Sequence, residues 1–250
     1  MANPTLTLVN LRPDRDAFAL WSVRHARFED RSRPSGMPDT GYAWHGLLRN
    51  AFGSYAPKPF VDRTPLRSNL VLGYIDIAPE ELRTEERMEP LAARALGLQD
   101  MRANSMPVQW RAEQELSFEV RVRPVVRTRS HARTGRNDEM DAAVHASLQD
   151  STVTREQAYY AWMTRELARN GAASLLAMKT MLYRRTRVLR RNQDENRNPV
   201  VIEGPELWVS GRLSVQSGPA FDALLRRGLG RHRAFGFGCL LVGRPGVFDS

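Results

Sequence analysis

The sequence contains very little cysteine and no long apolar run. Cys239 is the single cysteine in 250 residues, so neither an intrachain disulfide nor a CxxC metal site can form. Its apolar surroundings favour a buried packing role for Cys239 over a nucleophilic one. No stretch is long and apolar enough to span a membrane, and the first residues lack the basic and apolar regions of a signal peptide. These features predict a cytoplasmic protein without a membrane partner.

Common catalytic motifs are absent as well. The sequence has no GxxxxGK[ST] phosphate-binding loop, no HExxH metal motif and no GxSxG nucleophile motif. The five histidines and the acidic residues do not show the spacing of metal ligands. We therefore expect no metal and no other cofactor, and the commonest hydrolase classes are disfavoured.

The chain is strongly basic, with a net charge of +9 at pH 7 and a pI of about 10.5. Lys58 and Lys179 are its only lysines, so nearly all of the positive charge is arginine. A GC-rich genome produces such a bias, but guanidinium groups also bind phosphates in a bidentate manner and stack on bases. Most of the net charge falls in residues 113–250. We expect a polyanionic partner, bound mainly by the second half.

The hydrophobic patterns predict an α+β fold. Alternating side chains indicate strands, and apolar residues with helical spacing between capping residues indicate helices. The predicted strands are 5–11, 69–77, 116–123 and 206–215, and the predicted helices are 17–21, 40–52, 79–97 (broken near Pro90), 154–170 and 220–227. Residues 173–192 fit either a hairpin or a basic helix. Each half thus resembles a small unit with an antiparallel sheet.

The predicted helix 40–52 carries three polar side chains on one face. Tyr42, His45 and Arg49 follow the spacing i, i+3 and i+7, while the opposite face is apolar. Histidine exchanges protons near neutral pH, and arginine stabilises charge that develops on a phosphate. This face is a candidate catalytic site, although any amphipathic helix also needs a solvated side.

Arginines are concentrated in two other places. In the predicted strand 116–123, Arg121 and Arg123 are expected on the open face of the sheet. Five more arginines lie between residues 184 and 191, where their mutual repulsion favours a polyanionic partner over a merely solvated basic face. These five candidates for RNA binding are Arg184, Arg185, Arg187, Arg190 and Arg191.

The segment "GLGRHRAFGFGCLL" (228–241) combines glycines with positive charge. Its glycines permit backbone conformations that residues with side chains resist, and they surround Arg231, His232 and Arg233. Such a loop can direct backbone N–H groups and cations towards an anion. Its candidate anion-binding glycines are Gly228, Gly230, Gly236 and Gly238.

These segments resemble the CRISPR-associated repeat-processing endoribonucleases. Residues 228–241 look like the glycine-rich loop of that family, and "GYAWHGLL" (41–48) is similar to its first-helix motif, a tyrosine followed three residues later by histidine. "FEVRVRPVVR" (118–127) and "TREQAYYAWMTRELARNG" (154–171) resemble its middle strand and the next helix. The type I-E branch is the most similar. The dense arginine run also fits a divergent type IV relative.

The resemblance implies two ferredoxin-like, RNA-recognition-motif-like halves, here 1–112 and 113–250. The implied activity is metal-independent cleavage of CRISPR repeat precursor RNA at a stem-loop, in which a 2′-hydroxyl attacks the adjacent phosphate and leaves a cyclic phosphate. The mature guide RNA then stays bound in an effector complex with other subunits. The family motif implies that His45 transfers the proton with Tyr42 as its partner, and that the glycine-rich loop holds RNA.

Three alternatives remain open from the sequence. Catalysis can depend on arginines such as Arg24, with His45 in a supporting role. A subunit of the same fold can bind the repeat hairpin without cutting it. A basic ribosome-associated protein explains the charge, but it explains neither the glycine-rich loop nor the shared face of Tyr42 and His45.

Overall fold

The computed structural model describes residues 5–25, 40–84, 88–128, 138–191 and 199–248. They form two compact units. The first unit holds the described residues of 1–108, 187–202 and 232–239, and the second holds those of 109–186, 203–231 and 240–250. The division into 1–112 and 113–250 expected from the sequence stays a prediction.

The first unit has one four-stranded sheet with helices between its strands. Its elements are β1 (Thr7–Leu11), α1 (Arg15–His25), α2 (Thr40–Phe52), β2 (Phe60–Asp62), β3 (Val71–Ile75), α3 (Pro90–Leu96) and β4 (Arg102–Ser105). The strand order is β2-β3-β1-β4, and every neighbouring pair is antiparallel. This is the ferredoxin-like arrangement that was expected.

The second unit repeats this topology with an insertion. Its elements are β5 (Glu115–Val122), β6 (Val125–Thr128), β7 (Asp138–Asp141), α4 (Ala142–Gln149), α5 (Arg155–Leu167), β8 (Ala173–Arg191), β9 (Pro199–Val215), α6 (Gly218–Arg227) and β10 (Leu241–Gly243). The sheet order is β10-β5-β9-β8, and β6 and β7 form a separate two-stranded sheet. The predicted α+β class with antiparallel sheets in two halves is confirmed.

Local sequence signals explain where several helices begin and end. The Asp14 carboxylate accepts hydrogen bonds from the backbone N–H groups of Asp16 and Ala17, which begins α1. Thr154 and Gln157 form a capping box at the start of α5. Gly53, with φ +56°, follows α2 in a conformation that few other residues adopt readily.

The structure corrects the predicted helix 79–97. Among the described residues of this range, which exclude 85–87, only Pro90–Leu96 is α-helical, and the earlier part contains the 3₁₀ turn Pro79–Glu81. Pro90 therefore begins a helix instead of interrupting one, because the first helical residue needs no backbone hydrogen bond that proline lacks. The ambiguous segment 173–192 contains strand β8, which pairs with β9.

A buried carboxylate ties α1, α2 and β2 together in the first unit. Asp62 accepts two hydrogen bonds from the Arg15 guanidinium, at 3.0 and 3.1 Å, and one from the Trp44 indole N–H at 2.9 Å. It also accepts from the backbone N–H and the hydroxyl of Thr64. Phe18 stacks on Trp44 with ring centroids 3.9 Å apart. These contacts fix the rotation of α2 about its axis.

Within the described residues, no helix is both long enough and apolar enough to cross a membrane.

Candidate active site

Helix α2 presents the expected polar face. Tyr42 and His45 are half-buried and Arg49 is exposed. The opposite face packs in the core through Ala43, Trp44, Leu47, Leu48, Ala51 and Phe52. The amphipathic pattern of this helix is therefore confirmed, while the catalytic role of its polar face stays a prediction.

The surroundings of His45 favour the neutral imidazole. Burial lowers the pKa of His45 below its ordinary value of 6.5, and the nearby cations Arg49 and Lys58 lower it further. A neutral ring at pH 7 can accept a proton. Helical spacing does not predict that Lys58 lies near His45, because Lys58 belongs to the segment between α2 and β2.

Part of the glycine-rich segment lies against the N-terminal end of α2. A Cβ atom added to Gly41 would lie 2.5 Å from the Phe235 carbonyl oxygen, so this approach requires glycine at position 41. The Phe235 ring stacks on Tyr42 with centroids 6.5 Å apart and is tilted against His45 at 6.4 Å. Tyr42, His45 and Phe235 thus form one aromatic cluster in the first unit.

The four glycines of this segment have positive φ angles, which residues with side chains adopt rarely. Gly228, Gly230, Gly236 and Gly238 have φ values of +73°, +64°, +83° and +77°. The predicted contact of these residues with RNA stays a prediction. Cys239 is fully buried, and burial raises the pKa of its thiol, which fits the expected packing role.

Arg24 lies in the last turn of α1, next to an acidic partner. Its guanidinium is 3.6 Å from the Glu89 carboxylate, and the His25 imidazole lies at the same distance from that carboxylate. The side chains of Arg24 and His25 are 56% and 44% exposed. The structure thus places Arg24 in an ion pair with Glu89, and its suggested catalytic role stays untested.

The expectation that Arg121 and Arg123 lie on an open sheet face is wrong. Arg123 is completely buried and donates to the backbone carbonyl and the hydroxyl of Thr186, at 2.7 and 2.9 Å. Arg121 is 13% exposed and donates to Glu206 at 2.8 Å. Both guanidinium groups instead find partners on other strands, Glu206 on β9 and Thr186 on β8.

The buried Glu206 carboxylate explains part of this arrangement. It also pairs with Arg184 at 2.9 Å and accepts a hydrogen bond from the Trp208 indole. Burial acts to raise the pKa of Glu206, but the guanidinium groups of Arg121 and Arg184 outweigh it and lower the pKa to about 2. Glu206 therefore remains an anion that holds two of the predicted RNA-binding arginines in the second unit.

The remaining arginines that were candidates for RNA binding differ in their exposure and in their partners. Arg185 and Arg187 are exposed on β8, and Arg185 pairs with the exposed Glu203 at 3.1 Å. Arg231 pairs with Glu139, whereas Arg233 is half-buried in the short turn Arg233–Phe235. The backbone of Arg190 and Arg191 belongs to β8, but their side chains lie outside the described part of the structure.

In the ranges of the chain that the structure describes, no group of three or more His, Cys, Asp or Glu side chains is arranged to hold a metal ion.

The chain belongs to the CRISPR-associated protein family, whose model matches residues 9–244. A search of curated proteins finds no match. Among solved structures, the fold is similar to the CRISPR endoribonuclease Cse3 bound to a 19-nucleotide RNA, with 17% identity over 96% of this chain and 99% of that one and a TM-score of 0.58. It is also similar to Cas6e from Escherichia coli K-12, with 13% identity, the same coverage and a TM-score of 0.53. A chain of a CRISPR RNA-guided surveillance complex gives 18% identity over 95% and 99% of the chains and a TM-score of 0.54. At such identities these likenesses establish a shared fold.

The contact between Gly41 and Phe235 predicts a specific effect of Gly41→Ala. The added methyl group forces the Phe235 backbone away from α2, at a cost of roughly 1–3 kcal/mol in the free energy of unfolding. Hydrogen exchange measured by mass spectrometry should show faster exchange in peptides that cover 232–239.

The matched control is Gly46→Ala on the same helix. There the added methyl group would lie 3.6 Å from the Trp21 ring, an ordinary contact distance, so exchange in 232–239 should not change. Equal protection of this segment in wild type and Gly41→Ala would contradict the proposed packing.

Proposed function

We propose that this protein is a cytoplasmic, metal-independent endoribonuclease that cleaves CRISPR repeat precursor RNA at a stem-loop and retains the mature guide RNA in an effector complex. The observation that carries the proposal is the half-buried His45, which shares a helix face with Tyr42 and whose pKa is lowered by burial and by the cations Arg49 and Lys58. Membership of the CRISPR-associated family supports the RNA substrate, as does a fold shared with an endoribonuclease bound to RNA. The similar chain in a surveillance complex supports the assignment to an effector complex.

The proposed cleavage reaction uses only side chains of the protein and groups of the RNA. His45 takes the proton of a 2′-hydroxyl, whose oxygen then attacks the adjacent phosphorus while the bond from phosphorus to the 5′-oxygen breaks. The products are a 2′,3′-cyclic phosphate and a 5′-hydroxyl. Arg49 and Lys58 stabilise the negative charge that builds up on the phosphate, and Tyr42 positions the reacting nucleotide beside His45.

Exposed arginines provide for binding of the stem. An A-form RNA stem is recognised mainly by its shape and its phosphates, which suits guanidinium groups. Arg185 and Arg187 on β8 are exposed. The exposed ion pair of Arg185 with Glu203 is weak enough for a phosphate to replace the carboxylate. Arg231, Arg233 and the four glycines complete the proposed RNA-binding set. Arg121 and Arg123 act from within the second unit as structural supports.

The second candidate function is an inactive subunit that binds the repeat hairpin. Glu206 and the arginines that it orders suit a binder as well as an enzyme, because phosphate binding alone does not require a titratable group. The placement of His45 favours the enzyme. A pure binder has no need of an imidazole held neutral between two cations.

The first test is cleavage of the repeat RNA of the protein's own locus in EDTA. Wild type should make a single cut. His45→Ala should cut 10²–10⁴-fold more slowly, which is the usual contribution of a general acid or base, and should keep its RNA affinity. Asn50→Ala, an exposed position on the same helix, serves as the matched control and should retain the wild-type rate.

Other outcomes of this experiment would support a different mechanism or a different function. A cut that survives His45→Ala would move the chemistry to arginines such as Arg24. Tight binding without a cut by wild type, with and without added magnesium, would support the hairpin-binding subunit. A cut by wild type only when magnesium is present would contradict metal independence.

The lowered pKa of His45 predicts the pH dependence of cleavage. On the acid side, the rate should rise with pH as His45 loses its proton, and the midpoint of this rise should lie below pH 6.5. Arg49→Gln removes a cation that lowers this pKa, so the pH of half-maximal rate should move upwards, whatever happens to the plateau. Arg102→Gln, at an exposed position on β4, should leave it unchanged. An unchanged midpoint in Arg49→Gln would show that His45 is not the titrating group.

A further inference from the structure

His232 has an unusual backbone conformation for a residue with a side chain. Its φ and ψ are +61° and +28°, in the left-handed region that the neighbouring Gly230 and Gly236 also occupy. Residues other than glycine adopt this region rarely, and such strained positions concentrate at functional sites. Glycine would fit position 232 without strain. Loop geometry alone does not require an imidazole at this position, so its contacts decide whether the side chain has a role.

The His232 ring lies beside the aromatic cluster of the candidate active site. Its centroid is 6.4 Å from that of Phe235, and the centroid of His45 lies at the same distance from Phe235. His232 is half-buried, as is His45. The helix α2 and the glycine-rich segment thus each bring one imidazole to the same phenylalanine within the first unit.

The proposed reaction requires two proton transfers. The 2′-hydroxyl must lose a proton, and the 5′-oxygen must gain one as its bond to phosphorus breaks, since an alkoxide is a poor leaving group at neutral pH. A neutral His45 serves the first transfer and has no proton to give at that stage. Imidazolium gives up its proton near neutral pH more readily than a phenol or an ammonium group does.

We propose that His232 is a second catalytic residue, which contacts the leaving 5′-oxygen and protonates it. This inference rests on the proposed function. When the 2′-oxygen bonds to phosphorus, its proton passes to His45. When the bond to the 5′-oxygen breaks, the proton of His232 passes to that oxygen. One turnover leaves His45 protonated and His232 neutral, and exchange with water restores both.

A purely structural role for His232 makes a different prediction. The ring also contacts the buried Phe237 edge-on, at 6.5 Å, so its removal could merely loosen the segment 232–239. A loosened segment slows the cut for every substrate. The loss of a proton donor slows it only where the leaving group needs a proton.

The test therefore compares two substrates in EDTA. The first is the unmodified repeat RNA, used to locate the cut. The second carries sulfur in place of the bridging 5′-oxygen at that position, because a thiolate leaves without being protonated. The variants are His232→Asn and His232→Gly. Both residues tolerate the left-handed conformation, so neither adds backbone strain.

On unmodified RNA both variants should cut 10²–10⁴-fold more slowly than wild type, with RNA affinity within about threefold of it. On the sulfur substrate they should cut within about tenfold of wild type. His45→Ala, which lacks the proposed base, should remain slow on both substrates.

Variants that cut unmodified RNA within about threefold of wild type would overturn the proposal. An equal loss on both substrates would also overturn it and assign His232 a structural role. If wild type cuts neither substrate, the proposed function itself is wrong. If wild type cuts and only the variants deviate from the expected rates, the error concerns His232 alone.

Discussion

The buried carboxylate of Asp62 fixes the orientation of helix α2 in the first unit. It accepts hydrogen bonds from Arg15 on α1 and from Trp44 on α2, and it lies at the end of β2. Trp44 immediately precedes His45, so the contact that holds the indole inside also fixes where the imidazole points. Removal of Arg15 would leave this buried carboxylate without the guanidinium that pairs with it, which is strongly destabilising. The site depends on these contacts, because a helix rotated by one residue would bury His45 and expose Trp44.

Much of the fold follows from short-range sequence signals. The alternation in β1, β5 and β9 and the apolar run of β3 predict their strands, and the caps Asp14 and Thr154 mark real helix starts. Prediction from the sequence fails where those signals are weak. Strand β2 has only three residues, all of them buried, and β4 is mostly exposed, so neither strand shows alternation. Pro90 is ambiguous in the sequence, because proline both ends and begins helices.

The candidate site is less fully predictable than the fold. One helical turn is enough to place Tyr42 beside His45, so spacing alone finds that pair. Lys58 and Phe235 come from other segments and meet α2 only after folding. The same limit explains the error at Arg123, since strand periodicity assigns a residue to a face but cannot show that Thr186 on another strand covers it. Charge patterns in the sequence thus locate arginines without distinguishing those that support the fold from those that reach solvent.

The central claim is that an RNA hydroxyl, activated by His45, is the nucleophile. The most direct measurement is cleavage in EDTA of a repeat RNA with a single 2′-deoxy substitution on the 5′ side of the mapped cut, with mass analysis of the fragment ends. Unmodified RNA should yield a 2′,3′-cyclic phosphate and a 5′-hydroxyl, and the substituted RNA should bind equally well but should not be cut there. A cut in the substituted RNA, or a 5′-phosphate on the product, would contradict it.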